Sequence, residues 1–419
     1  MTNQASPPSD SLSEPREAPP GPLSGRHIVL GVTGSIACYK ALDVTSQLVQ
    51  AGAIVDVAIT ESATKFVTPL AFRSLTAREP YVDMWHPHGA FGEAHVELAR
   101  RADLMLIAPA TASTMARLAH GLADDFVSLT ALATQAPLLV APAMDSQMWS
   151  HAATQLNRAV LEERGVQMVG PAEGRLASGR IGAGRFVEPA TIVAEVKARI
   201  GRERGDLRGR TVIVSAGGTR EAIDPVRYVG NHSSGKMGNA IAEAARDRGA
   251  AVILVTTVPD TAPPAVHVVA VTSADSMSAA IHERAGSADA LVMAAAVADY
   301  RPATSADQKI KRAEVGDMTI ELAENEDIIA SVSGDLVKVA FAAETQDLIA
   351  NAEKKLAAKG ARLIVANDVT ASDAGFGTDT NRITILDDTG GREVVPLMSK
   401  YGCAMRILDR VAPLLPERR

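Results

Sequence analysis

A long glycine-rich segment, residues 215–238, is the feature that most restricts how this chain can fold. It follows an apolar run at residues 211–214 and precedes apolar residues that recur at three- and four-residue spacing from Ile241. This pattern predicts a strand, a loop and a helix, an arrangement that points backbone N–H groups and a helix N-terminus toward a phosphate. The segment exceeds the roughly two to six residues of a plain connection, and it carries cations, amides and hydroxyls. The sequence therefore predicts a phosphate-binding site here.

Composition narrows the class of protein. The 419 residues are too many for one ordinary domain, and the formal charge of −7 with 3% aromatic residues argues against nucleic-acid and membrane partners. Only Cys38 and Cys403 are present, so we expect no disulfide framework and a reducing, cytoplasmic compartment. The longest uncharged run, residues 126–144, is interrupted by a glutamine and two prolines, which predicts a buried helix and strand instead of a membrane span.

Changes in composition divide the chain into four predicted segments. Residues 1–25 are rich in Pro, Ser and Glu and are predicted to be a disordered tail. Residues 26–200 and 210–419 each carry a complete α/β pattern, and the polar residues 201–209 between them are the predicted linker.

Small and hydroxylated residues follow three apolar runs of the N-terminal half. The runs at residues 28–32, 104–108 and 138–141 lead into residues 33–35, 109–114 and 142–145. Because doubly wound sheets bind ligands at the carboxyl ends of their strands, we expect these segments to converge on a ligand. The first turn lacks the three spaced glycines of a dinucleotide site, so a mononucleotide fits better than NAD.

Two sets of motifs resemble a known family. The string SAGGTREAIDPVRYVGNHSSGKMG at residues 215–238 resembles the ligase half of the bifunctional bacterial phosphopantothenoylcysteine decarboxylase and phosphopantothenate–cysteine ligase of coenzyme A biosynthesis. The strings GVTGSIACYK, APATAST, ADDFVSLT and APAM resemble the flavin-binding segments of FMN-containing cysteine decarboxylases. The resemblance implies an α/β fold of two Rossmann-like domains, an N-terminal flavodoxin-like FMN domain and a C-terminal nucleotide-binding ligase domain.

The resemblance implies that FMN lies at the strand ends of the N-terminal half. FMN would oxidise the cysteine thiol of 4′-phosphopantothenoylcysteine, CO₂ would leave, and the flavin would return the electrons to give 4′-phosphopantetheine. The predicted flavin-binding residues are Gly34, Ser35, Ile36, Thr60, Ser62, Thr111, Ala112, Ser113, Thr114 and Ala143.

His95, in FGEAHVELAR, occupies the position of the decarboxylase histidine. A histidine beside apolar residues is more often structural, but the resemblance implies a catalytic role, and an imidazole can exchange a proton near neutral pH.

Two positions depart from the family pattern, and both concern chemistry. Asp145 replaces the asparagine whose amide holds the substrate carboxylate, so an ionised side chain must be protonated, turned away or paired with a cation. Ser178 replaces the cysteine that donates a proton in the reductive step, and a hydroxyl is a much weaker acid than a thiol. Either another group donates that proton, or the N-terminal half is slow, altered or inactive. Met148 and Gly182 are predicted to bind substrate with Asp145.

In the C-terminal half, the resemblance implies that CTP activates 4′-phosphopantothenate as an acyl-cytidylate and that L-cysteine then displaces CMP. Asn231 would stabilise formation of the intermediate, Lys309 would contribute to its turnover, and Asp299 would hold Mg²⁺. The predicted CTP-binding residues are Ala294, Ala295, Asp299, Lys309, Glu326, Asp327, Ile328, Ile329, Phe341, Lys355 and Lys359.

Two alternatives keep the flavin site but change its role. The N-terminal half could be a flavin-binding oligomerisation scaffold for an active ligase, or the whole chain could be a flavin-binding regulatory subunit, which the intact ligase motifs argue against. The family forms trimers through its decarboxylase and dimers through its ligase, so the resemblance implies a homo-oligomer, with a dodecamer combining both contacts.

Overall fold

The computed structural model describes residues 21–85, 93–311, 318–344, 348–368 and 377–416. The chain forms two compact units. The first extends to Val166 and includes Leu176–Arg180, and the second comprises Gln167–Arg175 and the chain from Ile181 onward.

Parallel pairing of buried strands builds the first unit. Its strands lie in the order β2-β1-β3-β4, and every residue of β3 is buried, as expected for a sheet covered on both faces. The elements are β1 His27–Val32, α1 Cys38–Gln50, β2 Ile54–Ile59, α2 Glu61–Thr64, α3 Pro69–Thr76, α4 Ala94–Arg101, β3 Leu104–Ala110, α5 Ala112–His120, α6 Phe126–Ala133, β4 Leu138–Pro142, α7 Ser146–Ser150 and α8 Ala152–Glu163.

The second unit contains an eight-stranded sheet in the order β12-β11-β8-β13-β16-β17-β18-β19. Pairing is parallel from β12 to β17 and antiparallel from β17 to β19. The elements to α11 are β5 Gln167–Met168, β6 Ala172–Arg175, β7 Ile181–Arg185, α9 Pro189–Arg204, β8 Thr211–Ala216, β9 Arg220–Ala222, β10 Tyr228–Gly230, α10 Lys236–Asp247, β11 Ala251–Thr256, β12 His267–Ala270 and α11 Ala274–Ala285. The remaining elements are β13 Ala290–Met293, β14 Tyr300–Pro302, β15 Leu322–Glu324, α12 Ile328–Ser331, β16 Val337–Glu344, α13 Leu348–Ala358, β17 Leu363–Asp368, β18 Thr380–Asp387, β19 Arg392–Ser399 and α14 Lys400–Val411.

Helices cover both faces of this sheet. Val212 and Val214 of β8 belong to a core shared with α10 and α14, whereas Ile213 belongs to a second core shared with α11 and α13. Successive residues of a strand point to opposite faces, so the two cores lie on the two sides of the sheet. The strand order runs outward from β8 in both directions, which makes the ends of β8 and β13 the switch point where such sheets bind ligands. The α/β prediction is confirmed.

Two predicted segments differ from the structure. Residues 21–25 were expected in the disordered tail, but Leu23 is fully buried and its N–H donates to the carbonyl of Ala51 at 3.0 Å. Residues 201–204 were expected in the linker, but they end helix α9, and Gly201 is buried close to the backbone of Asp247. Burial of Leu23 in the core and of Gly201 against the backbone of Asp247 orders the two segments despite their polar composition. Residues 1–20 lie outside the described residues.

Among the described helices, none is long and apolar enough to cross a membrane.

Candidate functional sites

A cavity of about 1010 Å³ lies at the switch point of the second unit. Asn231 and all the predicted CTP-binding residues except Lys309 contribute to its wall. Those residues are Ala294, Ala295, Asp299, Glu326, Asp327, Ile328, Ile329, Phe341, Lys355 and Lys359.

Hydrogen bonds join the loops that follow β8 and β13. The N–H of Ala295 donates to Ser215 Oγ at 3.0 Å, the N–H of Ala296 donates to the carbonyl of Gly217 at 2.8 Å, and the N–H of Ala298 donates to Thr219 Oγ1 at 2.9 Å. The two loops therefore form one wall, and its small residues leave space for a ligand.

Asn231 contacts the loop that follows β13. Its Nδ2 donates to the carbonyl of Val297 at 3.1 Å, and the side chain is solvent-accessible at the cavity. A neutral amide held in this way can present its remaining hydrogen to an oxygen in the cavity.

Charged side chains also line the cavity. Asp327 caps α12 and pairs with Lys359 at 2.7 Å, and Asp299 is exposed. In the part of the chain that the structure describes, no group of three or more His, Cys, Asp or Glu side chains could hold a metal ion. A metal at Asp299 would therefore take most of its oxygen ligands from water and nucleotide phosphates, as Mg²⁺ commonly does.

Further polar residues that the sequence did not predict as nucleotide-binding also line the cavity, among them Lys236, Asn367, Asn381 and Lys400. Lys236 is the first residue of α10, and its Nζ donates to Asp379 Oδ1 at 2.7 Å. Lys400 Nζ donates to the carbonyl of Thr378 at 2.6 Å, and burial, followed by the charge of Lys236, lowers the pKa of Lys400. Of these four residues, only Lys236 lies within the glycine-rich segment whose composition predicted a phosphate-binding site.

Lys309 is exposed and is not among the residues that line the cavity. Its neighbour Ile310 is fixed to the glycine-rich segment, since the N–H of Ile310 donates to Asp224 Oδ2 at 3.2 Å and Arg227 Nη2 donates to the carbonyl of Ile310 at 2.9 Å. The bonds from Arg227, followed by the backbone N–H groups, hold the pKa of Asp224 well below its usual range.

The strand-end loops of the first unit also meet. Thr33 Oγ1 donates to the carbonyl of Pro109 at 2.8 Å and accepts from the N–H of Thr111 at 3.0 Å. Ser35 Oγ donates to the carbonyl of Ala143 at 3.5 Å. A Cβ on Gly34 would lie 2.6 Å from Ser62 Cβ, so the loops after β1 and β2 touch and exclude a side chain at residue 34.

Hydroxyl groups and helix N-termini surround this meeting point. Thr60 caps α2 and contacts Ser62 Oγ at 3.1 Å, and Thr111 caps α5, whose first turn holds Ala112, Ser113 and Thr114. Ile36 is 58% exposed beside them. The donors suit a phosphate, and the small and apolar residues leave room for a flat ring.

The remaining predicted residues of the N-terminal half are spread over several elements. His95 lies half-buried in the first turn of α4, Met148 is exposed on α7, and Gly182 lies in β7 of the second unit, paired with Gly174 of β6.

Asp145 and Ser178 are in direct contact. Ser178 Oγ donates to Asp145 Oδ2 at 2.6 Å, the N–H of Gln147 donates to Asp145 Oδ1 at 3.0 Å, and Arg180 Nη1 lies 3.4 Å from Oδ1. The bond from Ser178, followed by that from Gln147 and the charge of Arg180, lowers the pKa of Asp145. Of the three arrangements open to an aspartate here, the structure has the one paired with a cation.

Known proteins resemble the chain along nearly its whole length. The family model described as "Flavoprotein" matches residues 16–201, and "DNA/pantothenate metabolism flavoprotein C-terminal domain" matches residues 207–414. The Coenzyme A biosynthesis bifunctional protein CoaBC of Bacillus subtilis is 44% identical over 398 residues, which cover 94% of this chain and 98% of that protein. The protein of the same name from Escherichia coli K12 is 42% identical over 403 residues, covering 94% and 99%.

A crystal structure of the C-terminal domain of a CoaBC protein is 36% identical and covers 50% of this chain and 98% of that one, with a TM-score of 0.43. The identities over the full length of the bacterial relatives support the bifunctional interpretation over one in which only the ligase is active. The chain therefore belongs to the family of the coenzyme A biosynthesis bifunctional proteins CoaBC, and it is a bifunctional enzyme with a decarboxylase flavoprotein half and a ligase half.

Proposed function

We propose that the second unit joins 4′-phosphopantothenate to L-cysteine with CTP and that the first unit decarboxylates the product with FMN. The observation that carries this proposal is the cavity at the switch point, where an amide, two or more carboxylates and several lysines face one space beside a glycine-rich loop. A nucleotide, a metal ion and an acyl group need these partners together.

A free carboxylate does not react with an amine, so the ligase must first activate it. The carboxylate oxygen of 4′-phosphopantothenate attacks the α-phosphorus of CTP and pyrophosphate leaves. The cysteine amine then attacks the acyl carbon, CMP leaves, and the amine loses a proton. Asn231, fixed by its bond to Val297, would donate to the charge that develops as the acyl-cytidylate forms.

The cations of the cavity would neutralise the triphosphate. Lys355 and Lys359 line one part of the wall and Lys236 another, and Asp299 would bind Mg²⁺ carried by the nucleotide. Lys309 would reach the intermediate from its exposed segment, and its anchorage through Ile310 keeps that segment beside the loop that bears Asn231.

Replacing Asn231 tests the ligase proposal. Asn231→Ala is expected to keep the fold. The rate of pyrophosphate release from CTP and 4′-phosphopantothenate should fall by about 100-fold or more, the usual effect of removing such a donor. Asn239→Ala is a matched control, because Asn239 donates to Thr261 and does not line the cavity. Unchanged release in Asn231→Ala would remove this residue from the mechanism.

The strand-end loops of the first unit fit FMN. Hydroxyls of Thr60, Ser62 and Thr111, with the N-terminus of α5, would hold the phosphate, and the absence of a side chain at Gly34 allows close approach of the backbone. When bound, FMN supplies an acceptor for two electrons from the cysteine thiol. His95 would hold or move a proton on the substrate.

His95→Asn tests this second assignment. With 4′-phosphopantothenoylcysteine supplied directly, the variant is expected to keep its flavin absorbance and lose CO₂ release. Normal CO₂ release by the variant would exclude His95 as a catalytic residue.

We further infer Mg²⁺ dependence, a homo-oligomer and a cytoplasmic location. Sedimentation of the purified protein tests the assembly, for which trimeric contacts of one half and dimeric contacts of the other would produce a dodecamer.

A further inference from the structure

The hydrogen bond between Asp145 and Ser178 restricts the chemistry that either side chain can perform. The carboxylate of Asp145 already accepts from Ser178 Oγ and the N–H of Gln147 and lies beside Arg180. These partners compensate its negative charge, so an anionic substrate does not meet a bare carboxylate at residue 145.

The same contact makes Ser178 a poor proton donor. Its hydroxyl hydrogen points to Asp145 Oδ2 at 2.6 Å. Giving that proton to a substrate would leave an alkoxide next to a carboxylate, and two negative charges at this distance repel strongly. The geometry therefore fits a structural hydrogen bond that holds two chain segments together.

One of these segments is a tight turn. Leu176–Arg180 belongs to the first unit, the N–H of Leu176 donates to the carbonyl of Arg180 at 2.8 Å, and the N–H of Gly179 donates to the carbonyl of Leu176 at 2.9 Å. Gly179 has φ +84°, which favours glycine. Leu176 is buried, so the turn is fixed at its base and by the Ser178 contact at its tip.

The other segment belongs to the strand-end site. Asp145 lies two residues beyond Ala143, whose carbonyl accepts from Ser35 Oγ and whose N–H donates to the carbonyl of Ala110. The turn is therefore attached to the loop after β4, beside the residues assigned to FMN.

We propose that Asp145, Ser178 and Arg180 form a latch that holds the turn Leu176–Arg180 against the loop after β4, and that all three are positioning residues for the decarboxylase. This inference rests on the proposed decarboxylase function. It assigns the two departures from the family pattern to one shared contact: the serine supplies the hydrogen bond that the aspartate accepts.

Hydrogen exchange of the full-length, FMN-loaded protein tests the latch without measuring activity. Ser178→Ala is expected to speed exchange in a peptide covering the turn by about fivefold or more, because a hydrogen bond to a charged acceptor is lost. Ser178→Thr keeps the hydroxyl and should restore most of the protection. Ser150→Ala, a change of the same size in α7, should leave the turn unchanged. Equal exchange in Ser178→Ala and the unsubstituted protein would overturn the latch.

Kinetics with supplied 4′-phosphopantothenoylcysteine separate positioning from proton donation. The latch predicts that Ser178→Ala and Asp145→Asn both raise KM more than they lower kcat. It also predicts that the double variant is no more impaired than the more impaired single variant, since Ser178→Ala removes the donor of the contact and Asp145→Asn replaces its charged acceptor with a neutral amide. A loss of kcat above about 100-fold in Ser178→Ala, with Asp145→Asn near normal, would make Ser178 the acid and overturn the proposal. If the unsubstituted protein releases no CO₂, the decarboxylase function fails, while the exchange measurement still decides the latch.

Discussion

Gly238→Ala is expected to disable the ligase through a clash between α10 and β8. A Cβ at residue 238 would lie 2.6 Å from Ala216 Cβ and 2.7 Å from the carbonyl oxygen of Ser215. Carbon atoms in contact prefer separations of about 3.5–4.0 Å, so the N-terminal turn of α10 must move away by about 1 Å. Backbone atoms form much of the obstacle and cannot rotate aside as a flexible side chain would.

Overpacking of this kind costs about 1–3 kcal/mol of unfolding free energy. In a domain of this size each kcal/mol lowers Tm by about 2–4 °C, so the unit should unfold several degrees earlier and remain folded at 25 °C. The same displacement moves Lys236 and Gly238 in the cavity wall. A misplacement of about 1 Å can reduce turnover by about 100-fold, which is the loss expected in pyrophosphate release.

The assay compares Gly238→Ala with Gly286→Ala in pyrophosphate release, CO₂ release from supplied 4′-phosphopantothenoylcysteine, and calorimetry. Gly286 is the matched control, because it lies in the same unit, follows α11 with φ −65°, and has no atom within 4 Å of an added Cβ. Gly286→Ala should behave as the unsubstituted protein, and both variants should decarboxylate normally. Full pyrophosphate release by Gly238→Ala would refute the assignment of this helix end to the nucleotide site.

Three other changes give separate tests. Tyr401→Phe removes the bond from the tyrosine hydroxyl to Asp247 Oδ2 at 2.9 Å and leaves that buried carboxylate short of a donor, so calorimetry should show a loss of about 1–3 kcal/mol. The pKa of Asp224 is depressed in the folded protein, so its carboxylate adds to the free energy of unfolding above the ordinary pKa of about 3.9, and this contribution is lost as pH falls below that value. The difference in urea midpoint between Asp224→Asn and the unsubstituted protein should therefore be clear at pH 7 and shrink toward pH 2. Gly34→Ala places a Cβ 2.6 Å from Ser62 Cβ and should weaken FMN binding by about tenfold or more, measured by flavin fluorescence, with pyrophosphate release unchanged.

Local pattern was sufficient for much of the architecture. Apolar runs and the residues that follow them predicted the strand ends of the first unit, and Thr33 and Ser35 do contact the loops after β3 and β4. Composition predicted the long loop after β8. A carboxylate that follows an apolar run predicted the loop after β13, which contacts it. Both follow from the rule that parallel strands end at one edge of a sheet.

Contacts between distant residues were not predictable in this way. Lys400 enters the cavity from the start of α14, and its bond to the carbonyl of Thr378 depends on the antiparallel end of the sheet. Asp145 and Ser178 are 33 residues apart, and no local sequence pattern predicts the hydrogen bond between their side chains. Polar composition predicted disorder at Leu23, where a single buried side chain orders the backbone.

The most direct test of the bifunctional account is mass spectrometry of the products formed when the purified protein, with FMN bound, receives 4′-phosphopantothenate, L-cysteine, CTP and Mg²⁺. The account predicts 4′-phosphopantetheine, with pyrophosphate, CMP and CO₂ released. Accumulation of 4′-phosphopantothenoylcysteine without further conversion would contradict it, because only the ligase half would then be competent.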